Sequence, residues 1–203
     1  MMVDYPKLSP RLDGPQGSIE TAVKEISAVC SSTPSSDSAR ERILNFIQEY
    51  PDALYRSCEA GHLTGSAAIV DHSASKFLLM HHLKLRKWLQ PGGHADGDGL
   101  LSRVALREAK EETGIEDLQI FTPGIDCDVH IIPERADEPE HLHLDIRYLL
   151  RAPRGSQYKK NHESTELRWV SRPELASMKT DASTLRLAEV ALEISKTVFP
   201  SKS

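Results

Sequence analysis

The loop GGHADGD at residues 92–98 leads into a predicted helix that ends in REAKEETGI at residues 107–115. The helix carries three glutamates near its end, Glu108, Glu111 and Glu112. At about 100° per residue, Glu108 and Glu112 continue the apolar stripe of the helix instead of facing solvent. An unpaired carboxylate in a core is costly, and a bound cation removes that cost. The pattern therefore predicts a divalent-metal site, and its oxygen ligands suit Mg²⁺.

Other interpretations of these two stretches stay open from the residues alone. The glutamates could form a solvated face with ion pairs to Arg107 and Lys110, and Arg107 is also spaced to pair with Glu111 and orient the carboxylates. The glycines could form a simple tight turn, or they could let the Gly92 carbonyl complete a metal shell. No Gly-Lys-Ser/Thr follows the loop, which excludes a Walker-type phosphate loop.

Composition limits the class of protein. The chain has 203 residues, 39% hydrophobic and 27% charged, which suits one globular domain with a short extension. A formal net charge of −5 implies no broad basic surface, so long nucleic acid is not an expected partner. The three cysteines lack metal-ligand spacing, and no apolar run suits a membrane span or a signal peptide. We therefore expect a cytoplasmic protein with free thiols.

Residues 1–60 are predicted to form an N-terminal helical extension without recognisable chemistry. Residues 1–16 contain three prolines and one glycine and are expected to be irregular. One helix should start at Ser18, and a second should follow a loop over residues 30–38, with Asp37 or Ser38 as its cap.

Residues 61–203 are predicted to form the main domain, with strands around one central helix. A β-hairpin is expected from residues 62–70 and 76–82, followed by a short strand at 88–89. The central helix should begin near Leu100, with Asp98 as its cap. Further strands are expected at 118–121, 125–132, 141–150 and 167–170, a charged loop at 134–140, and helices at 172–178 and 184–197. This order is typical of a mixed α/β or α+β domain.

Two sets of polar side chains alternate along predicted strands, so that each set shares one face. Each set could bind a metal or a phosphate, or it could line a pocket as a polar sheet face without chemistry. The sets are His141, His143 and Asp145, and Asp126, Asp128 and His130. Arg86 belongs to a small basic group that could contact phosphates or form a solvated turn.

The loop and helix resemble the box of the Nudix hydrolases, which reads Gly, five residues, Glu, seven residues, Arg-Glu-apolar-x-Glu-Glu-x-Gly-apolar. Gly93 takes the first position, and the block from Arg107 to Ile115 matches completely. One position departs, because the first Glu of the box falls on Gly99. In the family that Glu mainly partners the box arginine, and we expect Asp96 or Asp98 to replace it here.

The resemblance extends from about residue 62 to residue 196 and implies a Nudix-type α/β/α sandwich with a mixed sheet. It implies hydrolysis of the diphosphate linkage in ADP-ribose, a nucleotide sugar, a dinucleotide or a nucleoside triphosphate. Mg²⁺ or Mn²⁺ would be held by Glu108, Glu111, Glu112 and the Gly92 carbonyl. Glu163, in a polar loop, is the candidate general base, and its alternative role is that of an exposed loop glutamate.

The polar strand face, the loop and the small basic group indicate where substrate would bind, and other functions stay open. Substrate contacts are expected from His94, His141, His143 and Arg86. Family members often form homodimers, so a homodimer is possible. A Nudix-fold module could instead bind a nucleotide or a protein without turnover. A diphosphate isomerase shares the fold, but no cysteine is suitably placed to support that activity.

Overall fold

A computed structural model describes residues 7–8 by their backbone alone, and residues 14–30, 33–134 and 139–199 in full. The helices within these ranges are α1 (Ile19–Ser27), α2 (Pro34–Glu49), α3 (Leu101–Thr113), α4 (Arg172–Leu175) and α5 (Ala182–Val198). The strands are β1 (Lys7–Leu8), β2 (Gly61–Val70), β3 (Lys76–His82), β4 (Trp88–Leu89), β5 (Gly92–His94), β6 (Gln119–Ile132), β7 (His141–Arg151) and β8 (Ser164–Ser171).

The described strands form a single mixed sheet. Its main order is β1-β6-β7-β2-β3-β4, with β5 paired to β2 and β8 paired to β3. Strands β2 and β7 run parallel, from Gly61 opposite Leu142 to Val70 opposite Arg151. The other pairs are antiparallel. The mixed sheet between helices confirms the predicted α+β class and the Nudix-type architecture.

Helices cover both faces of the sheet because the central strands are apolar on both sides over part of their length. On one face, Leu63 and Ala67 of β2 pack in the same core as Leu101 and Ala105 of α3. On the other face, Ala68 and Val70 of β2 pack with residues of α5, including Leu187 and Ala191. The period-2 alternation of a strand sends neighbouring side chains to opposite cores.

The N-terminal helices belong to the same core as α3. Ala22 and Ile26 of α1 and Ile43 of α2 are buried with Leu144 and Ile146 of β7. Glu25 of α1 accepts hydrogen bonds from the Ser102 amide at 2.9 Å and the Ser102 hydroxyl at 2.7 Å. A carboxylate at that position also suits the positive end of the α3 dipole. The boundary between extension and domain at residue 60 stays a prediction.

Several predicted element boundaries are wrong for local reasons. Helix α2 begins at Pro34, because Thr33 accepts a hydrogen bond from the Ser36 amide, so neither Asp37 nor Ser38 is the cap. Helix α3 begins at Leu101 after Leu100, and Asp98 is not its cap. Part of the predicted irregular start forms β1, which pairs with β6.

Strand pairing also differs from the local prediction. The two strands of the predicted hairpin pair only beside the turn, where Val70 lies opposite Phe77. Elsewhere β2 pairs with β5 and β7, and β3 pairs with β4 and β8. Part of the predicted loop, Gly92–His94, is strand β5. The two strands predicted between 118 and 132 form a single irregular strand, β6. Parts of the predicted irregular start and of two predicted loops lie outside the described residues, namely 1–6, 9–13, 31–32 and 135–138.

None of the described helices is both long and apolar enough to cross a lipid bilayer.

Candidate active site

The end of α3 rests directly on the backbone of β5. The Gly92 amide donates a hydrogen bond of 2.9 Å to Glu112 Oε2, and Glu112 is only 3% exposed. A Cβ at Gly93 would lie 2.4 Å from the carboxyl carbon of Glu108. The missing side chain at Gly93 is therefore what admits the Glu108 carboxylate. The local sequence thus brings two carboxylates together beside the partly buried backbone of β5.

Burial makes this pair of carboxylates electrostatically unfavourable in the protein alone. Burial first, and then the nearby Glu108 and Glu163, raise the pKa of Glu112 to about 9 despite the opposing Gly92 hydrogen bond. Burial also raises the pKa of Glu108, which the neighbouring Arg107 guanidinium partly offsets. Clustered carboxylates of this kind are relieved by a cation with a preference for oxygen.

Glu163 lies near enough to Glu112 to raise the pKa of its carboxyl group. It stands in the loop just before β8, and its carbonyl accepts a hydrogen bond of 2.8 Å from the Leu83 amide in the β3–β4 turn. Its side chain is 48% exposed. Glu163 therefore reaches the buried glutamates from the solvent side of the site.

Arg107 ties the helix to β5. Its guanidinium lies 2.8 Å from Glu108 Oε1 and 3.1 Å from the His94 carbonyl, to both of which it donates hydrogen bonds. Among the described residues it pairs with Glu108 and not, as its spacing allowed, with Glu111. Arg107 therefore orients one carboxylate and anchors the glycine loop at the His94 carbonyl.

Neither loop aspartate is hydrogen-bonded to Arg107 among the described residues, although the Arg107 charge helps to lower the pKa of Asp96, and the replacement of the box glutamate stays a prediction. Asp96 pairs with Arg56 through two hydrogen bonds of 2.7 and 2.8 Å. Asp98 pairs with Arg103 through two hydrogen bonds of 2.6 and 2.7 Å, and both side chains are buried. Both loop aspartates therefore fix the loop to its surroundings.

The position of Gly99 is filled by the chain's own N-terminal segment. A Cβ at Gly99 would lie 1.8 Å from the Ser18 carbonyl oxygen, and the Gly99 amide donates to the Gly17 carbonyl at 2.8 Å. Asp98 accepts a hydrogen bond of 2.9 Å from the Gly17 amide, and Arg103 donates one of 2.8 Å to the Pro15 carbonyl. The box glutamate is therefore absent at this position for a steric reason, because backbone atoms of the N-terminal segment occupy the space that its side chain would need.

Histidines from three strands converge next to the glycine loop. His62 of β2 lies opposite His143 of β7, and His94 of β5 lies opposite Thr64, two residues from His62. The ring nitrogens of His94 and His143 are 3.3 Å apart. Burial and the Arg56 charge lower the pKa of His94 to about 4. Burial and the neighbouring imidazoles lower the pKa of His143 to about 2.

A buried ionic network continues this polar face away from the histidines. Arg147 pairs with Asp126 at 3.0 Å and with Asp145 at 2.7 Å, and Arg186 of α5 pairs with Asp128 at 2.9 Å. Burial alone would raise the pKa of Asp128, but the His130 hydrogen bond and the two arginines outweigh burial and leave that pKa well below its usual value. Asp145 also accepts hydrogen bonds from the Thr64 and Ser66 hydroxyls. Satisfied in this way, the network fixes the relative positions of β2, β6 and β7.

The structure brings together most, but not all, of the residues predicted for the site. Glu111 is exposed on α3, one position before Glu112. Arg86 is exposed in the turn after β3, and no hydrogen bond in the described ranges joins its side chain to the glutamates. The remaining predicted residues cluster around β5 and the end of α3: Gly92, His94, Arg107, Glu108, Glu112, His141, His143 and Glu163.

Three residues that shape the site were not singled out from the sequence. His62 reaches the histidine cluster through the parallel pairing of β2 with β7, which no local pattern reveals. Arg56 and Arg103 hold the loop aspartates. The spacing of Arg103 from Asp98 was a usable signal, since a helix brings its first turn back toward the preceding loop.

The comparisons with known proteins agree with this arrangement. The sequence pattern of the NUDIX domain matches residues 62–189, more than half of the chain. The chain therefore belongs to the Nudix family, and it is an enzyme of the pyrophosphohydrolase class. Members of this family generally use divalent metal ions. No curated protein sequence matches the chain significantly.

Solved structures share the fold. A NUDIX-family hydrolase from Clostridium perfringens is 27% identical, with a TM-score of 0.52 over 66% of this chain and 97% of that one. The Ap4A hydrolase of C. elegans, solved as a binary complex, is 19% identical, with a TM-score of 0.55 over 68% and 98%. The NUDIX domain of Shewanella oneidensis NrtR, complexed with ADP ribose, is 19% identical, with a TM-score of 0.51 over 74% and 97%.

Proposed function

We propose that this chain is a cytoplasmic enzyme that hydrolyses the diphosphate linkage of a nucleoside diphosphate derivative with the help of Mg²⁺ or Mn²⁺. One observation carries the proposal. Glu112 is 3% exposed, accepts a hydrogen bond from Gly92 and lies beside Glu108 and Glu163. This carboxylate cluster is costly in the protein alone and fits an oxygen-preferring divalent cation.

The residues that would hold the cation are Glu108, Glu111, Glu112 and the Gly92 carbonyl. Bound there, the cation would neutralise charge on the diphosphate. Arg107 keeps Glu108 and the His94 carbonyl in place, because it donates a hydrogen bond to each. The exposed position of Glu111 leaves its carboxylate free to turn toward the substrate side of the helix end.

Glu163 is the proposed general base. It approaches Glu112 from the solvent side, where an attacking water can enter. The water oxygen bonds to one phosphorus, the bridging P–O bond breaks, the Glu163 carboxylate takes a proton from the water, and the other phosphate leaves with the bridging oxygen. A positioned base of this kind contributes about 100- to 10,000-fold to a rate.

The substrate classes for the first assay come from the box and from two relatives. Ap4A and ADP-ribose are named with the C. elegans and Shewanella proteins, so a dinucleotide and ADP-ribose belong in the panel. A nucleotide sugar and a nucleoside triphosphate complete it. His94, His141 and His143 are the proposed contacts beside the diphosphate. Arg86 stays a proposed contact from the β3–β4 turn, whose Leu83 amide bonds to Glu163.

The experiment measures phosphate products from this panel with and without Mg²⁺. Glu112→Gln keeps the shape of the side chain and should lower turnover at least about 100-fold. Glu116→Gln is the matched control, because Glu116 is 78% exposed just beyond the helix, and it should retain activity. If the wild type turns over no member of the panel, or if Glu112→Gln is as active as the wild type, the chain acts as a binding module or on another substrate class, and the proposal fails.

A further inference from the structure

The histidine cluster beside the glycine loop has the composition and spacing of a second metal site. His62, His94 and His143 each offer one ring nitrogen, and these three atoms all lie within 4.8 Å of one another. The residues come from β2, β5 and β7, three strands whose register is fixed by ladder hydrogen bonds. The cluster is therefore built on rigid elements and not on a loop.

The distances fit imidazole ligands of one ion. A zinc–nitrogen bond is about 2.0–2.1 Å long, so two nitrogens at a tetrahedral angle lie about 3.3 Å apart. The Nε2 atoms of His94 and His143 are 3.3 Å apart. The ring centroid of His62 lies 4.9 Å from that of His94 and 5.1 Å from that of His143. The three ligand nitrogens lie within 4.8 Å of one another, so binding would draw the His62 nitrogen toward the other two.

We propose that His62, His94 and His143 form a second metal site, separate from the glutamates of α3, for a divalent transition-metal ion of the zinc class. Imidazole nitrogen suits zinc, copper, iron and nickel, whereas carboxylate and carbonyl oxygen suit magnesium and manganese. The two sites therefore select different ions. Three protein ligands leave a fourth position, which is open to water or to a substrate oxygen because His94 and His143 are only partly buried.

Neighbouring groups hold the rings of the cluster in place. Asp128 lies 3.2 Å from His130, whose ring packs against His143. His141 stacks on His62 with ring centroids 4.8 Å apart, and its Nδ1 lies 2.8 Å from the Pro139 carbonyl. These contacts hold the rings in place, as outer-shell partners do around metal sites, while Arg56 offsets the charge of Asp96, with which it pairs near His94.

Strand β5 joins the two sites over three residues. Gly92 bonds to Glu112, Gly93 supports Glu108, and His94 contributes both its carbonyl to Arg107 and its ring to the histidine cluster. An ion on the histidines would therefore fix one end of the strand that carries the glycine loop. The competing explanation is a polar sheet face of stacked imidazoles that binds no ion.

The first test measures Co²⁺ and Zn²⁺ binding to the full chain after removal of metal by a chelator. Saturating Mg²⁺ is present throughout, so that the carboxylate site does not contribute. We expect one equivalent of Co²⁺ to give the intense visible absorption of a four-coordinate site with nitrogen ligands, and one equivalent of Zn²⁺ to displace it. A wild-type protein without a saturable Co²⁺ signal would overturn the proposal.

Variants assign the ligands. His94→Gln and His143→Gln should each weaken Zn²⁺ binding by more than about 100-fold, since loss of an outer-shell partner alone costs about 10- to 100-fold. His162→Gln is the matched control, because the His162 side chain is 90% exposed, and it should bind like the wild type. Unchanged Zn²⁺ affinity in both cluster variants would refute the assignment.

Zinc-edge X-ray absorption of the wild type keeps the test valid if a variant fails to fold. We expect three nitrogen ligands at about 2.0 Å from the zinc, with the scattering pattern of imidazole. A shell made only of oxygen ligands would contradict the proposed site. Glu112→Gln should keep the Co²⁺ signal. Failure of the second metal site is thus distinguishable from failure of the proposed hydrolytic function.

Discussion

Gly93 shows how one missing side chain can place a charged group. The Glu108 carboxyl carbon occupies the space 2.4 Å from where a Cβ would stand. The carboxylate is the far end of a flexible side chain, so it can move aside without disturbing the fold. Gly93 therefore matters for the position of Glu108 more than for the stability of the protein.

We predict that Gly93→Ala separates activity from stability. The new methyl group should displace the Glu108 carboxylate by an ångström or more, a shift that can cost about 100-fold in rate. The free energy of unfolding should change by less than about 1 kcal/mol. Steady-state turnover of the best panel substrate and urea unfolding measure the two effects. Full activity in Gly93→Ala would mean that Glu108 is not held at this place for catalysis.

At the scale of single elements, an ion pair ties the first turn of α3 to the loop before it. The Asp98 and Arg103 side chains are 6% and 7% exposed, and Asp98 also accepts hydrogen bonds from the Gly17 and Leu100 amides. Burial alone would raise the pKa of Asp98, but the Arg103 and backbone hydrogen bonds outweigh burial and leave that pKa below its usual value. The pair thus joins the glycine loop, the first turn of α3 and the N-terminal segment.

We predict that Asp98→Asn lowers the free energy of unfolding by about 3–5 kcal/mol, because it leaves Arg103 buried without its charged partner. A carboxyl group with a lowered folded pKa stabilises the fold above its unfolded pKa of about 3.9, and this stabilisation is lost as pH falls through the folded pKa. Urea unfolding from pH 7 to pH 2 should therefore show a smaller acid-induced loss in Asp98→Asn than in the wild type. The exposed pair of Arg168 and Glu166 gives the control Glu166→Gln, which should change stability by less than about 1 kcal/mol.

For single elements, the sequence predicted features that depend on local geometry and missed features that depend on neighbouring residues or distant pairing. The period of α3 correctly identified Glu108 and Glu112 as inward-facing, since helix geometry is local. The cap of α2 was predicted too late in the chain, because Thr33 caps the helix and Pro34 begins it, ahead of Asp37. Strand β5 was taken for a loop because three residues with two glycines carry almost no strand signal, and its pairing with β2 supplies the structure.

At the scale of the whole molecule, long-range contacts decide what the local patterns leave open. The fold class and the Nudix family were predictable because the box is contiguous and specific. The convergence of His62 with His143 was not, because it depends on a parallel pairing between distant strands. The reason for Gly99 was equally hidden, because the group that fills its space is the Ser18 backbone from the N-terminal segment.

We predict that Gly99→Ala destabilises the protein by at least about 1–3 kcal/mol, because the new Cβ overlaps backbone that cannot rotate away. Circular dichroism during urea unfolding measures the loss. Adding Ser18→Gly should not restore stability, since the contact involves the Ser18 carbonyl and not its side chain. An alanine variant as stable as the wild type would show that the N-terminal segment does not hold this place in solution.

The occupied space at Gly99 also has a consequence for related sequences. A glutamate at this position and the present path of residues 14–18 exclude each other, because the Ser18 carbonyl oxygen stands where the Cβ would be. Relatives that keep this N-terminal path should therefore have glycine here, and relatives with glutamate should route the preceding chain differently.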